Sequence, residues 1–160
     1  MFRIYFFFYS TGLNFNAASD RVKNSKLIVH GMVKSVNSGS VVSYEVDVMC
    51  VLKKSNSITK DIGTSITIHE SKLKHKCASE EGLMNPKQSI IAILKEDGDK
   101  FYFDIINNEA PVFSDSKLVL NFLRSSCHLD DKPSGPKCAP TNKRLFCGFN
   151  KVQQEDVEDD

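Results

Sequence analysis

The clearest pattern in the chain is an alternation. Across positions 41–52, VVSYEVDVMCVL, the residues Val42, Tyr44, Val46, Val48, Cys50 and Leu52 share one face of an extended strand. Ser43, Glu45 and Asp47 share the other. This spacing predicts a long half-buried strand with Cys50 on its inward face. The stretch before it, LIVHGMVKSV (27–36), is rich in β-branched residues and reads as a strand, with Gly31 marking a bulge or a sharp bend. NSGS (37–40) is turn chemistry of the hairpin kind and joins the two. A polar link comes next, then TSITIHE (64–70) as a third strand with Ile66 and Ile68 on one side. SIIAILKE (89–96) is apolar enough to be a strand covered on both faces, and DGD (97–99) turns it into an aromatic-rich strand, KFYFDII (100–106). Between the third and fourth strands lies a long loop, 71–87, containing Cys77, Gly82 and Pro86.

After the break NNEAP, residues 115–126 fit a helix with Ser114 or Asp115 as its N-cap. At helical spacing Leu118, Val119, Phe122 and Leu123 cover one arc, and Leu120 falls outside it. Five short strands close as a small barrel, so order and count point to an oligonucleotide/oligosaccharide-binding (OB) type, mainly β, with a C-terminal helix. A β-sandwich is the alternative, and it usually needs about seven strands.

The first twenty residues break the pattern. Arg3 precedes the apolar run Ile4–Tyr9, and the small residues Ala17 and Ala18 come after it. This is the layout of a secretory signal peptide over 1–18, against the plainer reading of a hydrophobic strand. Secretion would place the chain in an oxidising compartment where cysteines pair. The five cysteines, Cys50, Cys77, Cys127, Cys138 and Cys147, are disulfide candidates, and their odd number leaves a buried thiol, an intermolecular bond or a missing partner open.

Length and composition add bounds. The 160 residues suit one ordinary domain with a short extension, and 41% hydrophobic with 26% charged content suits a globular fold. Net charge is +1, which argues against a broad nucleic-acid surface. No apolar run approaches the roughly 18 residues a membrane-spanning helix needs. The end, EDVEDD, reads as a solvated acidic tail.

Candidate chemistry is sparse. His69, His75 and Cys77 cluster like metal ligands, but their spacing matches no common zinc signature, and no metal or cofactor is expected. No G-x-S-x-G, H-E-x-x-H or Gly-rich phosphate loop occurs. Cys50 with His30 could be drawn as nucleophile and base, yet an apolar strand face disfavours a thiolate. The chain therefore reads as non-enzymatic. Phe101 and Phe103 share a face and belong to the core, which leaves little for base stacking. Lys72, Lys74 and Lys76 read as a wet face, with heparan sulfate as a polyanion they could touch.

SKLIVHGMVKSV followed by VSYEVDVMCVLKK, an apolar strand with an inserted Gly and then Tyr-x-Val-x-Val running into Leu-Lys, resembles the netrin-like fold. Tissue inhibitors of metalloproteinases and the N-terminal domain of agrin share that fold. KCASEEG and FLRSSCHLDDKP fit the agrin domain better. The exit through Cys127, Asp131, Lys132 and Pro133 to Cys138, then Leu145, Phe146, Cys147, Gly148 and Phe149, resembles the passage from the agrin domain into a follistatin-type module. The resemblance covers roughly 20–149 and implies a barrel over 20–130 and a linker over 131–137. The remainder, 138–160, becomes the truncated, disordered start of the second module.

The resemblance implies an extracellular-matrix module that binds the coiled coil of laminin, anchors its protein to basement membrane and supports receptor clustering at synapses. The family's helix contact falls at Asn121, flanked by Leu120 and Phe122, and its second contact at His128 or Leu129. Leu120, Leu123 and Leu129 are the expected interface, with Leu120 as an ordinary surface leucine the competing reading. The resemblance also implies a bond from Cys50 to Cys127, and partners for Cys138 and Cys147 that this chain lacks. One departure is plain: both relatives start the mature chain with a Cys that staples the N-terminus to the loop holding Cys77, and none stands near Ser19. A netrin-like protease inhibitor or ligand carrier is the alternative reading, and that missing Cys argues against inhibition.

Overall fold

The computed structural model describes residues 15–70, 84–105, 111–117, 119–120, 123, 128–130 and 132–138. A helix α1 (Phe15–Asn24) precedes strands β1 (Leu27–Ser38), β2 (Val42–Lys54), β3 (Ser65–His69), β4 (Ser89–Asp97), β5 (Lys100–Phe103) and β6 (Val112–Ser114). β1 pairs antiparallel with β2, β2 with β3, and β4 with both β5 and β1; β3 runs parallel to β5. The circuit β1-β2-β3-β5-β4-β1 is a closed five-stranded barrel, and β6 adds to the outer side of β4.

Strand chemistry explains why two cores form. β4 alternates Ile90, Ala92 and Leu94 into the barrel with Ile91 and Ile93 outward, and all five are buried. Inside, these meet Leu27, Val29 and Val33 of β1, Val46 of β2, Ile68 of β3, and Phe101 and Phe103 of β5. Tyr44 packs edge-on against Phe103, with ring centroids 5.8 Å apart, and donates its hydroxyl hydrogen to Glu70 at 2.6 Å. Outside, Val22, Ile28, Ile91, Ile93, Val119, Leu123 and Leu129 form a second apolar cluster. The expectation of a strand covered on both faces holds for β4.

Gly31 marks a bulge, as its place in a β-branched run predicts. The β1–β2 register shifts between His30, opposite Cys50, and Gly31, opposite Val48, which leaves Met49 unpaired. A side chain at Gly31 would meet the Asp47 carbonyl oxygen and Val46 Cγ1, each at 2.6 Å, so the close strand crossing there requires glycine. The bulge corrects one expectation. One extra residue reverses the facing of the positions after it. Val51 enters the barrel core, and Cys50 shares the outward side with His30.

Residues 128–130 and 132–138 lie along the second half of β2, beyond the reach of β3, which pairs only with residues 43–47. Asp130 N donates to Leu52 O, Val51 and Ser134 exchange bonds at 2.7 and 3.3 Å, and Lys137 N donates to Met49 O. Asp130 also accepts from Lys54 N at 2.9 Å. This strap satisfies an edge that would otherwise be open. Gly135 fits against it with φ +146°, its α-carbon too close to Met49 O and Cys50 Cα for any side chain.

α1 crosses the expected cleavage point after Ala18. Val22 is buried in the second cluster, and Arg21 pairs with Asp104 and donates to its carbonyl oxygen. Lys53 Nζ donates to the Val22 and Lys23 carbonyls at 2.7 and 2.9 Å, satisfying groups that a helix end leaves open. Burial holds the Lys53 ammonium below its ordinary value. Residues 1–14 and 139–160, which carry most of the expected signal peptide and of the second module's start, lie outside the described residues. Of the helix expected over 115–126, positions 115–117, 119, 120 and 123 are described, and 117, 119, 120 and 123 have helical backbone. Ser116, rather than the expected Ser114 or Asp115, makes the capping-type bonds there: Ser116 Oγ accepts from Val119 N and its carbonyl from Leu120 N. Asp115 is engaged elsewhere, with Oδ2 3.2 Å from His30 Nε2. No described helix is long and apolar enough to cross a membrane.

Candidate binding surfaces

Two places in the fold bring functional side chains together. The first is the rim of the outer apolar cluster. Leu123 and Leu129, expected to face a partner, are 6% and 3% exposed and belong to that cluster's interior. Their apolar surface is already covered by Ile28, Ile91 and Ile93, because β4 presents isoleucines outward and the strap folds back over them. Leu120 differs. It is half-buried, and with Leu52 and Phe113 it packs against the edge of the cluster. These residues come from β2, β6 and the helical segment, so only tertiary closure places them together.

The second is an open cleft of about 270 Å³ beside the parallel β3–β5 pairing, lined by Lys60, Asp61, Ser65, Thr67, His69, Asp99, Lys100 and Phe101 with Ile66. Glu96, outside the lining, anchors the loop that supplies Lys60. The Glu96 carboxylate accepts from the Thr59 hydroxyl, from Thr59 N at 3.1 Å and from Lys60 N at 2.9 Å. The Thr59 hydroxyl and the two amides hold Glu96 below the usual carboxylate range. That clamp positions Lys60, whose ammonium lies 5.1 Å above the Phe101 ring and donates to the Asp99 carbonyl oxygen. His69 tilts against Tyr102 at 5.8 Å. Burial, then Lys100, lower the His69 imidazole from its ordinary value, with Asp99 opposing and Lys60 adding. Nothing in the sequence joined Lys60 and Lys100 to His69, since three separate segments supply them.

The remaining candidates resolve simply. Cys50 is bonded to Cys138, with 5.0 Å between α-carbons, so the bond to Cys127 that the resemblance implied is replaced. The bulge at Met49 turns Cys50 outward to where the strap ends, and the strap delivers Cys138 there. As a disulfide half, Cys50 has no thiol to act as a nucleophile with His30. Cys77, Cys127 and Cys147 lie outside the described residues, as do His75, Lys72, Lys74 and Lys76. Among the described residues no three metal-binding side chains converge. Phe101 and Phe103 are buried in the barrel as expected, and only Tyr102 turns outward. No protein-family model matches the chain, and no curated protein matches it.

Proposed function

We propose that this chain is a non-catalytic extracellular adhesion module with an OB-type, netrin-like barrel, whose partner is the coiled coil of laminin. The strand circuit β1-β2-β3-β5-β4-β1 with its parallel β3–β5 closure supports the OB assignment. The Cys50–Cys138 bond supports an oxidising compartment. The observation that carries the partner assignment is Leu120. It stands one residue from the contact position implied by the agrin resemblance, and it keeps exposed apolar surface where Leu123 and Leu129 do not. We take it, together with Phe113 and Leu52, which are likewise half-buried against the outer cluster, as a small apolar shelf. A coiled coil offers helical ridges of apolar side chains to such a shelf, and a few anchors supply most of the energy.

The test is binding of the full chain to an immobilised laminin coiled-coil fragment. Leu120→Ala should weaken binding roughly tenfold, as loss of an interface anchor does. Lys34→Ala, on the exposed hairpin, should leave it within about twofold. Circular dichroism of each variant separates lost contact from lost fold. No binding by the wild-type chain, or equal effects of the two variants, would overturn the assignment.

A further inference from the structure

The cleft beside β3 and β5 is a second surface, on residues the laminin reading does not use. Its lining is mixed. Lys60, Lys100 and His69 contribute positive or protonatable groups, and Asp61 and Asp99 contribute carboxylates. Thr67 and Ser65 add hydroxyls, and Ser65 also lies 3.5 Å from Glu45 Oε1. The cleft is not a plain anion sink, because a bare anion would meet two carboxylates. It suits a ligand carrying an anionic group and hydroxyls together.

Each part of that ligand has a counterpart. Carboxylates accept hydrogen bonds from sugar hydroxyls, and an ammonium carries three donors. The Lys60 ammonium uses one on the Asp99 carbonyl, which leaves donors that can turn toward a ligand. Lys100 makes no ion pair with another described residue. The two lysines are supplied by different elements, the 55–64 loop and β5. A sulfate, with three terminal oxygens, takes donors from several directions, whereas a carboxylate presents two oxygens in one plane. The local field agrees, since Lys100 and Lys60 disfavour a further positive charge on His69 and Asp99 only opposes them. A cavity of about 270 Å³ has room for one sugar ring rather than for an extended helix. The site is also built in advance: the Glu96 clamp fixes the Lys60 backbone, and Phe101 beneath it is a core residue.

We propose that this cleft binds one sulfated saccharide unit, with Lys60 and Lys100 on the sulfate and Asp61 and Asp99 on the sugar hydroxyls. The assignment stands or falls independently of laminin.

Three probes test it on the full chain: a sulfated heparin-derived disaccharide, its desulfated counterpart, and inorganic sulfate. Binding is followed by the NMR signals of the His69 ring. The sulfated disaccharide should shift them saturably, and the other two should bind at least about threefold more weakly, since each lacks half of the contacts. Lys100→Ala should reduce the affinity for the sulfated disaccharide about threefold to tenfold. Lys34→Ala, which removes the same charge from the hairpin, should not. Lys100 is exposed and Lys100→Ala should fold normally, with amide spectra reporting this directly; Lys60→Gln is the second variant, expected to act in the same direction. Equal binding of the desulfated sugar removes the role of sulfate, and equal binding of inorganic sulfate removes the role of the sugar. Either result overturns the proposal, as does an unshifted His69 or an equal loss in Lys34→Ala.

Discussion

Glu96 carries more structure than an acidic residue at a barrel rim usually does. Its two oxygens gather the Thr59 and Lys60 amides and the Thr59 hydroxyl, and so dock the 55–64 loop. Hydrogen bonds to the charged form lower its pKa from the ordinary glutamate value. A carboxylate depressed in the folded state contributes stability that is present above its unfolded value and lost as pH falls through its folded value. The wild-type urea midpoint should therefore fall more than that of Glu96→Gln when pH drops from about 5 to about 3. Parallel slopes for the two proteins would show that the clamp does not hold the loop. None of this was legible in the sequence, where Thr59 and Glu96 are 37 residues apart and neither sits in a motif. By contrast, the core assignment of Phe101 and Phe103 was legible, because alternation on a short strand depends only on neighbouring residues.

Strands β1 and β2 show how an element can be readable and still mislead at one point. The alternation from Val42 to Val48 holds, and Tyr44, Val46 and Val48 all enter the barrel. It fails at Met49, where the bulge exchanges the sides of Cys50 and Val51. The signal for that failure was on the opposite strand, at Gly31, and strand pairing had to be known before the two could be joined. Gly31→Ala should destabilise the protein by about 1–3 kcal/mol, because the added methyl meets the Asp47 carbonyl oxygen, which cannot yield, as well as Val46 Cγ1. Urea unfolding measures this, and an unchanged midpoint would contradict the tight crossing. The C-terminal segment teaches the same point. Helical spacing placed Val119 and Leu123 on one buried arc correctly and put Leu120 outside it, whereas Leu120 packs half-buried against the same cluster. It could not say that Leu129, beyond the helix, would also be covered.

At the scale of the molecule, the barrel is held closed from outside as well as from within. The strap, residues 128–130 and 132–138, completes the open half of β2 and ends on the Cys50–Cys138 bond. The bond spans a sequence separation of 88 residues, so in the chain-entropy account it stabilises by about 4–5 kcal/mol. A double variant, Cys50→Ser with Cys138→Ser, should lose stability of that order in urea unfolding. Addition of a reductant to the wild-type protein should produce a similar loss, and an unchanged midpoint in both experiments would show that the strap is not what secures the edge. Residue order alone determined the five barrel strands, their turns, the bulge at Gly31 and the two-sided burial of β4, because each depends on spacing within a few residues, whereas β6 and α1 were not read from it. Tertiary structure alone decided the partner of Cys50, the burial of Leu123 and Leu129, the shelf at Leu120 and the cleft at Lys60, Lys100 and His69. Each of those joins segments tens of residues apart, and only the closure of the barrel sets the distance between them.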